Sequence, residues 1–101
     1  MDLTLGQIVY SKAGRDAGRA FVVIRIEDAG YVLIADGDLR KVEKPKKKKI
    51  RHVEVTGTII DSLNEKLRTK QRITNAEIRN ILFASGIGAA NMEGSNITDN
   101  S

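Results

Sequence analysis

Gly14 and Gly18 stand four residues apart in the basic stretch Ser11-Lys12-Ala13-Gly14-Arg15-Asp16-Ala17-Gly18-Arg19, which runs directly into Ala20-Phe21-Val22-Val23-Ile24-Arg25-Ile26. Glycine adopts backbone conformations closed to other residues, and β-branched residues favour extended chain. The pair of segments therefore reads as a tight loop entering a strand. Residues 21–26 are too continuously apolar for a strand with one wet face, so both faces are expected to be covered. Within them Val22, Ile24 and Ile26 share one parity and are expected to point inward. Gly6-Gln7-Ile8-Val9-Tyr10 reads as the first strand of the same unit. Arg15 and Arg19 flank the glycines, where a polyanion would meet both charge and open backbone N–H groups.

Turn chemistry divides the chain that follows. Glu27-Asp28-Ala29-Gly30 has hairpin composition, and Tyr31-Val32-Leu33-Ile34-Ala35 is expected to return antiparallel to the second strand. Asp36-Gly37-Asp38 is a second turn, with Asp36 and Asp38 expected to bond backbone N–H groups. Leu39-Arg40-Lys41-Val42-Glu43 reads as a short fourth strand. Lys44-Pro45-Lys46-Lys47-Lys48-Lys49 reads as an exposed loop, because Pro45 has no N–H for a ladder and the lysines repel one another. Residues 50–56 alternate as a last strand. From Gly57 the pattern turns helical. Ser62-Leu63-Asn64-Glu65 and Thr74-Asn75-Ala76-Glu77 both fit capping boxes, predicting helices over 62–69 and 75–85. Leu63, Leu67, Ile78, Ile81 and Leu82 lie on their apolar faces, and Gly86 is placed to end the second helix.

Charge is concentrated rather than spread. The formal net charge is +4. Residues 40–51 alone carry eight Lys/Arg against Glu43, so that one window exceeds the balance of the whole chain. A focused basic patch is the electrostatic footprint of phosphate-backbone binding. The candidate nucleic-acid-binding set is Lys12, Arg15, Arg19, Arg40, Lys41, Lys44, Lys46, Lys47, Lys48, Lys49 and Arg51. Arginine can fork two donors onto a phosphate and lysine acts as a point charge, so Arg15 and Arg19 are the candidates for geometry and the lysines for affinity.

The glycine frame Gly6, Gly14 and Gly18, with the strand after it, resembles a KOW motif, a strand–loop–strand element of ribosomal proteins and bacterial transcription elongation factors. With Asp36-Gly37, the Lys/Arg stretch and Ile50-Arg51-His52-Val53, the order of parts over residues 5–56 is similar to the archaeal and eukaryotic large-subunit ribosomal protein family of the fourteen-e type. Five short strands with tight turns suggest a small curled sheet or barrel, and the resemblance implies an SH3-like five-stranded barrel of the KOW type. The expected fold is thus mainly β with C-terminal helices. It divides into a barrel over 1–58 with its basic loop at 44–49, a two-helix extension over 59–86 and a disordered tail over 87–101. The resemblance also implies contact with ribosomal RNA.

Other chemistries find little support. With no cysteine there is neither a disulfide framework nor a thiolate metal site. His52 is the only histidine, and nothing assembles around it as a metal or catalytic centre. The spacing of Gly14 and Gly18 is not that of a phosphate-binding P-loop. No apolar run spans a bilayer, and the start of the chain lacks the basic residues of a secretory signal. Four aromatic residues are too few for a stacking platform, which favours reading the shape and phosphates of folded RNA. These features point to a non-enzymatic, cytoplasmic RNA-binding protein, and the resemblance implies a ribosomal-protein-like component or ribosome-associated factor with ribosomal RNA, and ribosomal proteins, as partners. No cofactor, membrane or small-molecule substrate is expected. The competing reading is a protein-interaction adaptor of the transcription or translation machinery that uses the Ile78, Ile81 and Leu82 face.

Overall fold

A computed structural model describes residues 3–27 and 30–85. The strands are β1 (Gln7–Ser11), β2 (Ala20–Glu27), β3 (Tyr31–Ala35), β4 (Lys46–Lys49) and β5 (Val53–Ile59). Two helices follow, α1 (Asp61–Arg68) and α2 (Asn75–Ala84). The strands form one antiparallel sheet in the order β4-β3-β2-β1-β5. Since β4 and β5 end the order without pairing to each other, the sheet is open and not a closed barrel.

The chain nevertheless crosses from one edge of the sheet to the other through only the 3₁₀ turn Ile50–His52. Such a turn rises only about 2 Å per residue, so the sheet must curl until its edges approach. The curl encloses a core of Val9, Phe21, Val23, Val32, Ile34 and Val53. On the other face Ile8, Ala20, Val22 and Ala35 meet Leu63, Ile73, Ile78 and Leu82 from the helical segment. The first half of β2, Ala20 to Val23, is thus buried on both sides, as its apolar run requires. The expectation that Val22, Ile24 and Ile26 form the inward set is corrected in part: Val22 is buried, but Phe21 and Val23 are equally buried and Ile26 is 43% exposed. A register shift between Val23 and Arg25 breaks the alternation before Ile26 is reached.

The lysine run is the larger correction. Lys46–Lys49 is not a loop but the edge strand β4, paired with β3 through Ile34↔Lys46, Leu33↔Lys47, Val32↔Lys48 and Tyr31↔Lys49. An edge strand needs hydrogen bonds on one side only, and Pro45 lies just ahead of it, where its missing N–H costs no ladder bond. Alternation sends adjacent lysines to opposite faces, which relieves their repulsion. Residues 39–43, expected as a strand, are instead a turn whose geometry is set by Asp36.

The helices dock through backbone as well as side chains. Thr74 and Glu77 form the expected capping box. For α1 the box at Ser62 does not form, and Ile60 is the N-cap. Tertiary bonds override it: the Ile60 N–H donates to the Gly6 carbonyl at 2.9 Å and Asn64 Nδ2 to the Leu5 carbonyl at 2.7 Å. An ion pair between Lys66 and Glu77 joins α1 to α2. Gly37, at φ +79°, presses on the start of α2, and a Cβ there would stand 2.3 Å from the Asn75 carbonyl oxygen. The expected helix stop at Gly86 and the expected tail over 87–101 lie outside the described residues.

Two outcomes follow from this packing. Gly37→Ala adds backbone strain to a clash and will lower stability by more than the about 1–3 kcal/mol that a strained backbone residue alone costs. Gly18→Ala, at φ +89° in open space, will cost only the strain, and urea melts of the two variants compare them directly. The Glu77 carboxyl is held below the usual glutamate range, first by the Lys66 hydrogen bond and next by the Thr74 N–H. Its folded value lies below the unfolded one, so its stabilisation is complete above the unfolded value and is lost as pH falls through the folded one. Thermal melts across an acidic series will show that loss, and Glu77→Gln will flatten it.

Candidate nucleic-acid interface

The glycine loop closes on itself before it meets anything else. Gly14 and Gly18 take φ of +81° and +89°. The Gly18 N–H donates to the Ser11 carbonyl at 2.8 Å, the Ser11 N–H to the Arg19 carbonyl at 3.0 Å and the Arg19 N–H to the Asp16 carbonyl at 3.0 Å. Lys12 and Arg15 are exposed on this loop.

Two contacts seat the loop at the end of the sheet where β4 passes into the 3₁₀ turn. The Lys12 N–H donates to the His52 carbonyl at 2.8 Å. Lys48 Nζ donates to the Ala13 carbonyl at 2.7 Å, in space that a Cβ on Gly14 would narrow to 3.4 Å. A lysine ammonium has three donors, so Lys48 keeps two for another acceptor. Lys46 shares its face of β4. Arg51 is exposed on the 3₁₀ turn that accepts from Lys12. Lys48 thus touches the loop that carries Lys12 and Arg15, with Lys46 on the same face of β4 and Arg51 on the adjoining turn.

The remaining candidates stand elsewhere or are already engaged. Lys47 and Lys49 face the other side of β4. Lys47 Nζ lies 4.8 Å from the centre of the Tyr31 ring and 3.6 Å from Glu27 Oε1. Lys41 and Lys44 are exposed on the turn after Asp36. That turn is tied to α2 by the Val42 N–H, which donates to Asn75 Oδ1 at 2.8 Å, and by Asn75 Nδ2, which donates to Glu43 Oε1 at 2.9 Å. The Asn75 hydrogen bond is the foremost reason the Glu43 carboxyl sits below its usual range.

Arg19 and Arg40 have acidic partners. Arg19 Nη2 lies 3.0 Å from Asp36 Oδ2, and Arg40 Nε lies 2.9 Å from Asp16 Oδ2. Both carboxylates are buried, and the arginine side chains are 23% and 31% exposed. Asp36 Oδ1 also accepts the N–H groups of Asp38 and Arg40, each at 2.9 Å, the turn role expected of it. Asp16 is the residue that reading the sequence for charge missed. An acid inside a basic loop, matched by an arginine just after an Asp-Gly turn, was the available signal.

The apolar face on which the adaptor reading stood is occupied. Ile78 and Leu82 are buried beneath the sheet, with Ile81 packed against the same core. Among the described residues no group of three or more His, Cys, Asp or Glu side chains could hold a metal ion, and no helix is long and apolar enough to cross a membrane.

A curled, open five-stranded sheet with two docked helices is consistent with a small SH3-like fold. The relatives narrow that class. Large ribosomal subunit protein eL14 of Pyrobaculum arsenaticum is 28% identical over 85 residues, which covers 84% of this chain and 76% of that protein. The proteins of the same name from Pyrobaculum calidifontis and Pyrobaculum aerophilum match with the same identity and coverage. No family model matches. The chain is thus similar to ribosomal proteins of the eL14 type, and the resemblance read from its glycine frame is borne out.

Asp36→Ala removes two backbone acceptor bonds and a buried ion-pair partner together, and will destabilise the protein by about 3 kcal/mol in denaturant melts. Lys47→Ala breaks only exposed contacts and will cost less than about 1 kcal/mol by the same measurement.

Proposed function

We propose that the protein binds structured RNA without catalysing a reaction, as a ribosomal-protein-like component whose RNA is ribosomal and whose place is the cytoplasmic ribosome. The observation that carries this reading is the bond from Lys48 to the Ala13 carbonyl, which joins the basic edge strand to the glycine loop. A phosphate backbone lying against that corner would meet ammonium groups from β4, the guanidinium of Arg15 and the exposed loop backbone. Similarity to large-subunit proteins over most of the chain supports ribosomal RNA as the polyanion. The scarcity of aromatic side chains supports recognition by shape and phosphate rather than by base stacking. The folded unit proposed here comprises the sheet together with the helices docked on its outer face.

Titration of the purified protein against a fluorescent RNA hairpin over a salt series tests the proposal. Neutralising about five phosphates of a duplex gives a slope of log K on log salt near −4 to −5. The double variant Lys46→Gln with Lys48→Gln will bind more weakly and make that slope shallower by about 2. Failure of the unaltered protein to retain the hairpin in dilute salt overturns the reading.

A further inference from the structure

Asp16, Arg19, Asp36 and Arg40 are connected crosswise. The acid of the glycine loop holds the arginine of the Asp36 turn, and the acid of that turn holds the arginine of the glycine loop. Two separate links fix both the distance and the relative rotation of the loops, which one link would leave free. The second loop is itself anchored: Arg79 Nη1 donates to the Gly37 carbonyl at 2.7 Å, and Asn75 holds Val42. An unbroken series of bonds therefore runs from α2 through the Asp36 turn to the glycine loop and on to Lys48. Burial of both carboxylates makes loss of either arginine costly, because an acid would be left without its partner in a poorly hydrated place.

We infer that these four residues are a positioning clamp: Arg19 and Arg40 act on RNA by holding the glycine loop in shape, not as phosphate ligands. The inference rests on the RNA-binding reading above and assigns roles within that site. It carries an unusual sign. Asp16→Asn raises the net positive charge by one, so if these groups acted only through charge, RNA binding would tighten. As part of a clamp, the same change loosens the loop and weakens binding.

The hairpin titration decides between the two, with circular dichroism used to verify that each variant is folded. Asp16→Asn and Arg40→Gln are each expected to weaken binding about tenfold, the equivalent of a coupling of about 1.4 kcal/mol. Their double variant is expected to be no weaker than either alone. The salt slope of Arg40→Gln is expected to match that of the unaltered protein, whereas a lost phosphate contact would make it shallower by about 0.9 on duplex. Tighter binding by Asp16→Asn, or a shallower slope for Arg40→Gln, overturns the clamp while leaving RNA binding intact. No binding by the unaltered protein overturns both readings. A second measurement needs no variant: the Arg40 Nε–H resonance of the unaltered protein is expected to keep its position and slow exchange as hairpin is added. Its displacement to a phosphate-bonded position overturns the clamp.

Discussion

Burial of the first half of β2 on both faces is the constraint from which the remaining architecture follows. A strand reading Ala-Phe-Val-Val-Ile cannot offer one side to water, so something must cover each face. One cover is the sheet's own curl, which brings Val9, Val32, Ile34 and Val53 around Phe21 and Val23. The other is the helical segment, whose Leu63, Ile78 and Leu82 close over Ile8 and Val22. The helices thus cover the second face of the sheet. Ile78 and Leu82 are buried in that packing, and Leu67 and Ile81 lie partly buried at its margin.

The curl also assembles the basic corner. Because the two ends of the sheet approach each other, residues far apart in sequence meet there, as Lys48 and Ala13 do across a separation of 35 residues. The positive charge at this corner is sorted by its partners. Lys12, Arg15 and Arg51 are exposed, and Lys48 spends one donor on the loop. Arg19 and Arg40 face buried carboxylates. Charge density alone does not distinguish these groups, although their immediate partners differ.

Much of the fold was legible where local signals and burial agree. The glycine loop, the antiparallel pairing of β2 with β3 and the Thr74 capping box all rest on residues that have few other structural options. Where tertiary contacts compete, local signals misled. Ser62 has the right neighbours for a cap, yet Gly6 and Leu5 set the start of α1. The four lysines look unfit for a sheet until their strand is seen to lie at an edge. At the candidate site the sequence revealed which residues are basic but not which acids lie against them, since the links from Arg19 to Asp36 and from Asp16 to Arg40 cross 17 and 24 residues. No periodicity encodes such a pairing.

The position of β4 has a consequence for the protein on its own. The outer edge of an open sheet carries backbone donors and acceptors that can template another strand, the usual start of aggregation. Here that edge is lined by consecutive ammonium groups, so a second copy approaching it meets mutual repulsion before any hydrogen bond forms. The charge of this segment thus keeps free molecules apart, and neutralising it removes that protection. Resistance of this open edge to pairing with another chain therefore rests on the charge of Lys46–Lys49.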